Sequence, residues 1–125
     1  MSFKVTRSDE GVVYNPPGHF DVRPTRLHNP EDVLGGSLTM GLSHFLPGGG
    51  TEYGANDFEC IYYVVEGQMQ LEVERGTDRE LLVTLHKGDS FHCSAGIKKS
   101  IRNSGCEASQ LLVTLLKSTQ KATAE

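Results

Sequence analysis

Five histidines and three cysteines give this chain most of its capacity for metal binding or catalysis. Histidine titrates near neutrality and offers a ring nitrogen to a metal, so two of them on facing strands can hold an ion or trade a proton. His44 and His92 both fall on strand-like runs. They are the candidates for a displaced metal-ligand pair, or for acid/base work. In a metal-free version, Lys99 orients an anionic substrate while His92 or Glu59 moves the proton. Each histidine also has the plainer reading of a half-exposed strand residue. Cys60, Cys93 and Cys106 form no C-x-x-C pair, which leaves a zinc ribbon or a redox dithiol without support. They read as buried thiols. Cys60 or Cys93 becomes nucleophilic only if a neighbouring cation such as Lys99 favours the thiolate. His19, Asp21, Arg23, Arg26 and His28 crowd one stretch punctuated by Pro16-Pro17-Gly18 and Pro24. Arginine forks suit carboxylates. The stretch therefore reads as a loop: a lid, an arm reaching a partner subunit's pocket, or a surface segment with ordinary ion pairs.

The elements that must position these residues are almost all strands. With 125 residues and a formal net charge of −4, the chain is expected to form one domain with one core. The mild acidity and the absence of a Lys/Arg block argue against nucleic acid as the main partner. No apolar run approaches the roughly 20 residues that cross a bilayer. The first residues lack the apolar stretch of a secretory signal, so a cytoplasmic protein with reduced thiols is expected. Helical periodicity is confined to Asn29–Leu34, where Pro30 suits a first helical position and Gly35-Gly36 follows. Elsewhere the signals are short apolar runs bounded by glycine: Ser37–Leu46, Ile61–Val65, Gln68–Glu74, Glu80–His86, Ser90–Cys93, Lys98–Asn103 and Gln110–Lys117. Residues 1–10 could add an edge strand. About eight strands at such spacing predict a sandwich or barrel. Pro47-Gly48-Gly49-Gly50 ends the first run and is not a phosphate loop, since neither Lys-Ser/Thr nor a helix follows.

Two glycine-framed segments carry a more specific signal. The pieces LPGGGTEY, IYYVVEGQMQLEV and KGDSFHCSAG, closing on Arg102-Asn103, resemble the turn and strand framework of a small single-domain cupin over residues 40–105. The resemblance implies an all-β, double-stranded β-helix (jelly-roll) barrel, usually dimeric, with a pocket inside. It also implies an organisation: an N-terminal arm with an edge strand and a short helical turn over 1–36, a barrel over 37–117 and a flexible tail over 118–125. Metal-binding cupins carry two histidines and a glutamate in the first motif and a histidine in the second. Here Cys60 stands at the glutamate position and Glu59 is one residue off. The two histidine positions fall on Tyr53 and Ala55, or on Gly54 and Asn56. Lys99 replaces the last histidine, while Asn103 aligns. Alanine has no donor atom and an ammonium has no lone pair, so the usual site is lost.

The resemblance puts Cys60, and with it Tyr62, on the interior face, and likewise Lys99, Ile101 and Asn103. An inward lysine without a metal needs an internal carboxylate, such as Glu59 or Glu52, or an anionic ligand. The leading expectation is a homodimeric, small-molecule-binding cupin without a cofactor at the usual positions. It takes a carboxylate-bearing molecule in a pocket lined by Tyr53, Cys60, Tyr62, His92 and Lys99. The alternatives are two. One is an oxygenase, isomerase or lyase with a divalent metal at a non-standard site drawn from His44, His92, Cys60, Glu52 and Glu59. The other is the metal-free acid/base enzyme using Lys99 and His92.

Overall fold

The computed structural model describes residues 3–33 and 36–117. Leu34 and Gly35, at the end of the expected helical turn, and the expected tail over 118–125 lie outside them. The strands are β1 (Val12–Val13), β2 (His19–His28), β3 (Leu38–Thr51), β4 (Phe58–Glu66), β5 (Gln68–Val73), β6 (Leu81–His86), β7 (Ser90–Cys93), β8 (Lys99–Arg102) and β9 (Ser109–Lys117). One turn of 3₁₀ helix, Pro30–Asp32, joins β2 to β3. The order across the sheet is β6-β5-β8-β3-β9-β4-β7, with β2 and then β1 continuing from β3. Every pairing is antiparallel, and the sheet curls into a nearly closed jelly-roll barrel.

β3 runs straight through the expected stop at Leu46. It pairs with β9 from Leu38 to Phe45 and then with β8 at Gly50. It therefore belongs to both walls of the barrel and bends between them. Missing side chains permit the bend: a Cβ on Gly49 would collide with the Asp21 carbonyl, and Gly48 sits at φ 82°. Backbone bonds hold the corner, with Gly48 N–H donating to Asn103 O at 2.9 Å and Asn103 N–H to Gly49 O at 2.8 Å.

The Arg- and Pro-rich stretch is β2, a strand rather than a loop. Pro24 deceives because it has no N–H for a ladder. Its carbonyl accepts from Tyr14 N–H at 3.2 Å, just beyond β1, so its nitrogen also faces that short edge and not β3. A bulge at Asp21, with φ 51° and a register shift between Phe20 and Val22, bends the strand around the corner of β3. The edge strand expected within residues 1–10 is found at Val12–Val13 instead.

The core follows the alternation of the strands. Met69 and Leu71 on β5 are fully buried and meet Phe45, Val64, Leu85, Ile101 and Leu111. Burying each such side chain contributes about 1.5–3 kcal/mol. Asn103, also buried, closes the core at the end of β8. Its Nδ2 donates to Phe45 O at 3.1 Å and Glu107 O at 2.7 Å, and Gly105 N–H donates to its Oδ1 at 2.9 Å.

Candidate functional site

Between the two walls lies a cavity of about 470 Å³. Its apolar surface comes from Phe45 on β3, Tyr62 on β4, Ile101 on β8 and Leu111, Val113 and Leu115 on β9. Tyr14, Pro16, Pro17 and Pro30 line it from the N-terminal segment, and the polar groups include Lys99, Arg26, His19, Ser43, Thr51 and Asn56. Asp and Glu are absent from the described lining residues.

Lys99 opens β8. Its backbone is clamped against Gly54 by reciprocal N–H···O bonds of 3.0 Å, which aim the side chain inward. The residue is 6% exposed. Its Nζ sits 5.9 Å from the centroid of the Tyr62 ring and forms no ion pair among the described residues. Burial pushes the Tyr62 phenol far above its ordinary range, so it stays protonated. Burial likewise raises the Cys60 thiol, although the charge of Lys99 pulls the other way, and it raises Cys93. Both remain thiols rather than thiolates. The two face each other in register across β4 and β7.

The remaining expected residues are distributed otherwise. Cys60 is buried in the wall beside Tyr62 but outside the cavity lining. Tyr53 points away from the cavity: its OH accepts from Arg75 N–H at 2.9 Å, and the Arg75 guanidinium stacks 4.1 Å from the ring centroid. His92 is outward, between inward Phe91 and Cys93, and its Nε2 meets Glu59 Oε2 at 2.5 Å on the outer surface. His44 is outward on β3, between buried Ser43 and Phe45. Two strands, β9 and β4, separate β3 from β7. His44 and His92 therefore do not form a ligand pair. His92 and Lys99 lie on opposite faces of the barrel wall, so they cannot act on one substrate. The physical reason is the period of two: Phe45 and Phe91 claim the interior, and their neighbours must face out.

The metal of the cupins that the sequence resembles does not fit these residues. Gly54 and Asn56, not Tyr53 and Ala55, occupy the cavity-side positions. With them come Cys60 and Lys99; glycine has no donor side chain and a lysine ammonium has no lone pair, so only the Asn56 amide and the Cys60 sulfur are left, too few for the usual four-ligand site. Among the described residues, no group of three or more His, Cys, Asp and Glu gathers around a common point.

Sequence reasoning placed His19 and Arg26 on a loop and did not single out Ser43, Thr51 or Phe58. Stepping back by twos from Tyr62 and Cys60 would have reached Phe58 and Asn56. Pro24 hid the strand that carries Arg26.

A nearly closed antiparallel barrel with a cavity between the two legs of one bent strand gives this chain the fold of a small single-domain cupin. It is 31% identical over 112 residues to the beta-D-galactosidase Rv1717 of Mycobacterium tuberculosis, a match covering 90% of this chain and 92% of that one. The RmlC-like cupin from Shewanella frigidimarina superposes with a TM-score of 0.72 at 18% identity, covering 95% of each chain. The polyketide cyclase RemF from Streptomyces resistomycificus gives 0.73 at 20% identity, covering 94% of this chain and 81% of that one. No protein-family model matches the sequence. Among the described residues, no helix is long and apolar enough to cross a membrane.

Proposed function

We propose that this protein binds a small carboxylate-bearing molecule in its barrel cavity, with Lys99 as the anion-binding residue and without a metal at the usual cupin positions. The observation that carries this reading is a lysine only 6% exposed, without an ion-pair partner among the described residues, in a cavity whose described lining holds no acid. Burying an unpaired charge is costly, and a ligand carboxylate would supply the missing partner. Tyr62 adds its ring face to the cation and a protonated hydroxyl to the ligand. The test is calorimetric titration with a panel of aliphatic and aromatic monocarboxylates. Binding that is lost in Lys99→Met supports the reading. Binding unaltered in that variant, or binding only of neutral molecules, overturns it.

The Mycobacterium relative carries the name of a glycosidase, which makes β-galactoside hydrolysis the second reading. Glycosidases of the usual kind need two carboxyl groups flanking the bond they break. With no Asp or Glu among the described lining residues, this cavity offers neither, and binding stands ahead of hydrolysis.

A homodimer belongs to the same proposal. The outer faces of β3, β9 and β4 bring Leu42, Leu112 and Tyr63 into one row and Met40, Thr114 and Ile61 into the next. Ile61 is 49% and Tyr63 43% exposed, so an apolar sheet face is left for a second copy to cover. Sedimentation at twice the chain mass, falling to the chain mass in Ile61→Lys, is expected. All three cysteines are free, in keeping with a reducing compartment such as the cytoplasm.

A further inference from the structure

We propose that Arg26 is a second anion-binding residue of this cavity, so that the preferred ligand is a short molecule with an apolar body and two carboxylate groups, held between Arg26 and Lys99. The inference rests on the anion reading of the same cavity and specifies the ligand class. Arg26, Gly41, Val113 and Tyr62 lie in one row across β2, β3, β9 and β4. Gly41 contributes no side chain to that row. Three strand spacings separate the backbones of Arg26 and Tyr62, about 14 Å measured along the curved sheet. Lys99 reaches over Tyr62 from the facing wall. The two cations therefore enter the cavity from different walls, with Val113 and Leu111 between them as an apolar floor.

The setting of Arg26 resembles a prepared fork. One face of the guanidinium stacks on Tyr14, 4.6 Å from the ring centroid. Tyr14 is itself tied to β2 through its N–H bond to Pro24 O. Stacking uses the face of the guanidinium and leaves its edge donors for a carboxylate. No ion pair among the described residues uses that edge. His19 adds a third polar group to the lining. Its Nδ1 donates to Pro17 O at 3.0 Å, leaving Nε2 unspent. A chain of net charge −4 that keeps in one cavity two cations without an ion pair, and no acid, among the described residues is arranged for more than one negative group.

The experiment titrates the intact protein with the dicarboxylates from succinate to azelate, each against the monocarboxylate of equal carbon number. The dicarboxylate of best length is expected to bind about tenfold tighter or better than its monocarboxylate. In Arg26→Gln that ratio is expected to fall to near one, with Arg26→Lys between, since it keeps the charge and loses the fork. No dicarboxylate advantage in the wild type, or an advantage that survives Arg26→Gln, overturns the inference. Monocarboxylate binding that depends on Lys99 without a dicarboxylate advantage would overturn the two-anion inference while leaving the Lys99 reading intact. Binding of neither class overturns both.

Discussion

The Lys99 ammonium faces the Tyr62 ring at 5.9 Å, and this contact joins the two walls of the barrel across its cavity. The lysine comes from β8 and the tyrosine from β4, strands that do not neighbour one another in the sheet. A cation held over an aromatic face gains about 0.5–2 kcal/mol, which offsets only part of the cost of its burial.

Lys99→Met is therefore expected to stabilise the unliganded protein, by about 1 kcal/mol or more, because it keeps the volume of the stem and removes an unpaired buried charge. Thermal melts of the two proteins without ligand check this. A lower melting temperature in the variant would mean that the charge has a partner in the folded state.

The outward pair of His92 and Glu59 predicts the opposite pattern. Their side chains are 53% and 42% exposed, and such surface pairs contribute about 0–1 kcal/mol. His92→Ala is expected to leave carboxylate binding unchanged and stability nearly so. A large loss of binding would bring His92 back into the site.

Burial raises the thiols of Cys60 and Cys93 above the ordinary value of 9.0. For an acid whose folded pKa is raised, the stabilisation is complete below the unfolded pKa and is lost as pH climbs toward the folded one. Urea stability is thus expected to hold up to about pH 9 and to decline beyond it, as the unfolded chain gives up protons that the native one retains. The double variant Cys60→Ala with Cys93→Ala should flatten that decline. An unchanged alkaline slope would refute the assignment.

Asn103 and Gly67 hold the framework. Asn103→Ala strands the Phe45 carbonyl and the Gly105 N–H, and should cost about 1–3 kcal/mol. Gly67 stands at φ 81°, and an added Cβ would strike the Ser109 hydroxyl that bonds Gln68. Gly67→Ala should destabilise by at least as much, seen as a lower urea midpoint with an unchanged m-value.

Much of the barrel was legible in the sequence because its signals are local. Met69, Leu71 and Val73 alternate without interruption, and the glycines at 67, 88 and 96 all take positive φ in the structure. Lys99 could be placed by parity with Ile101 and Asn103, and the three are indeed buried together. The failures arose where parity had no anchor or where a single residue misled. His44 and His92 have the right chemistry but flank inward aromatics, Phe45 buried and Phe91 partly so, and nothing local says which neighbour turns inward. Pro24 broke the pattern of β2, because only the partner strands reveal on which side its missing N–H is harmless. Arg26 was thereby assigned to a loop. The stacking of Tyr53 with Arg75 joins residues from distant turns, and no spacing rule encodes it.

Because β3 supplies a leg to each wall, the chamber behaves like a folded card whose crease is Pro47–Gly49. The panels cannot slide apart as independent sheets, and Asn103 pins the crease through hydrogen bonds to Phe45 just before it and to Gly48 and Gly49 within it. The gap available to a guest is consequently set by one corner. Size discrimination would then be inherited from backbone geometry remote from the guest, and lengthening or stiffening that corner should retune which molecules fit without altering any group that touches them.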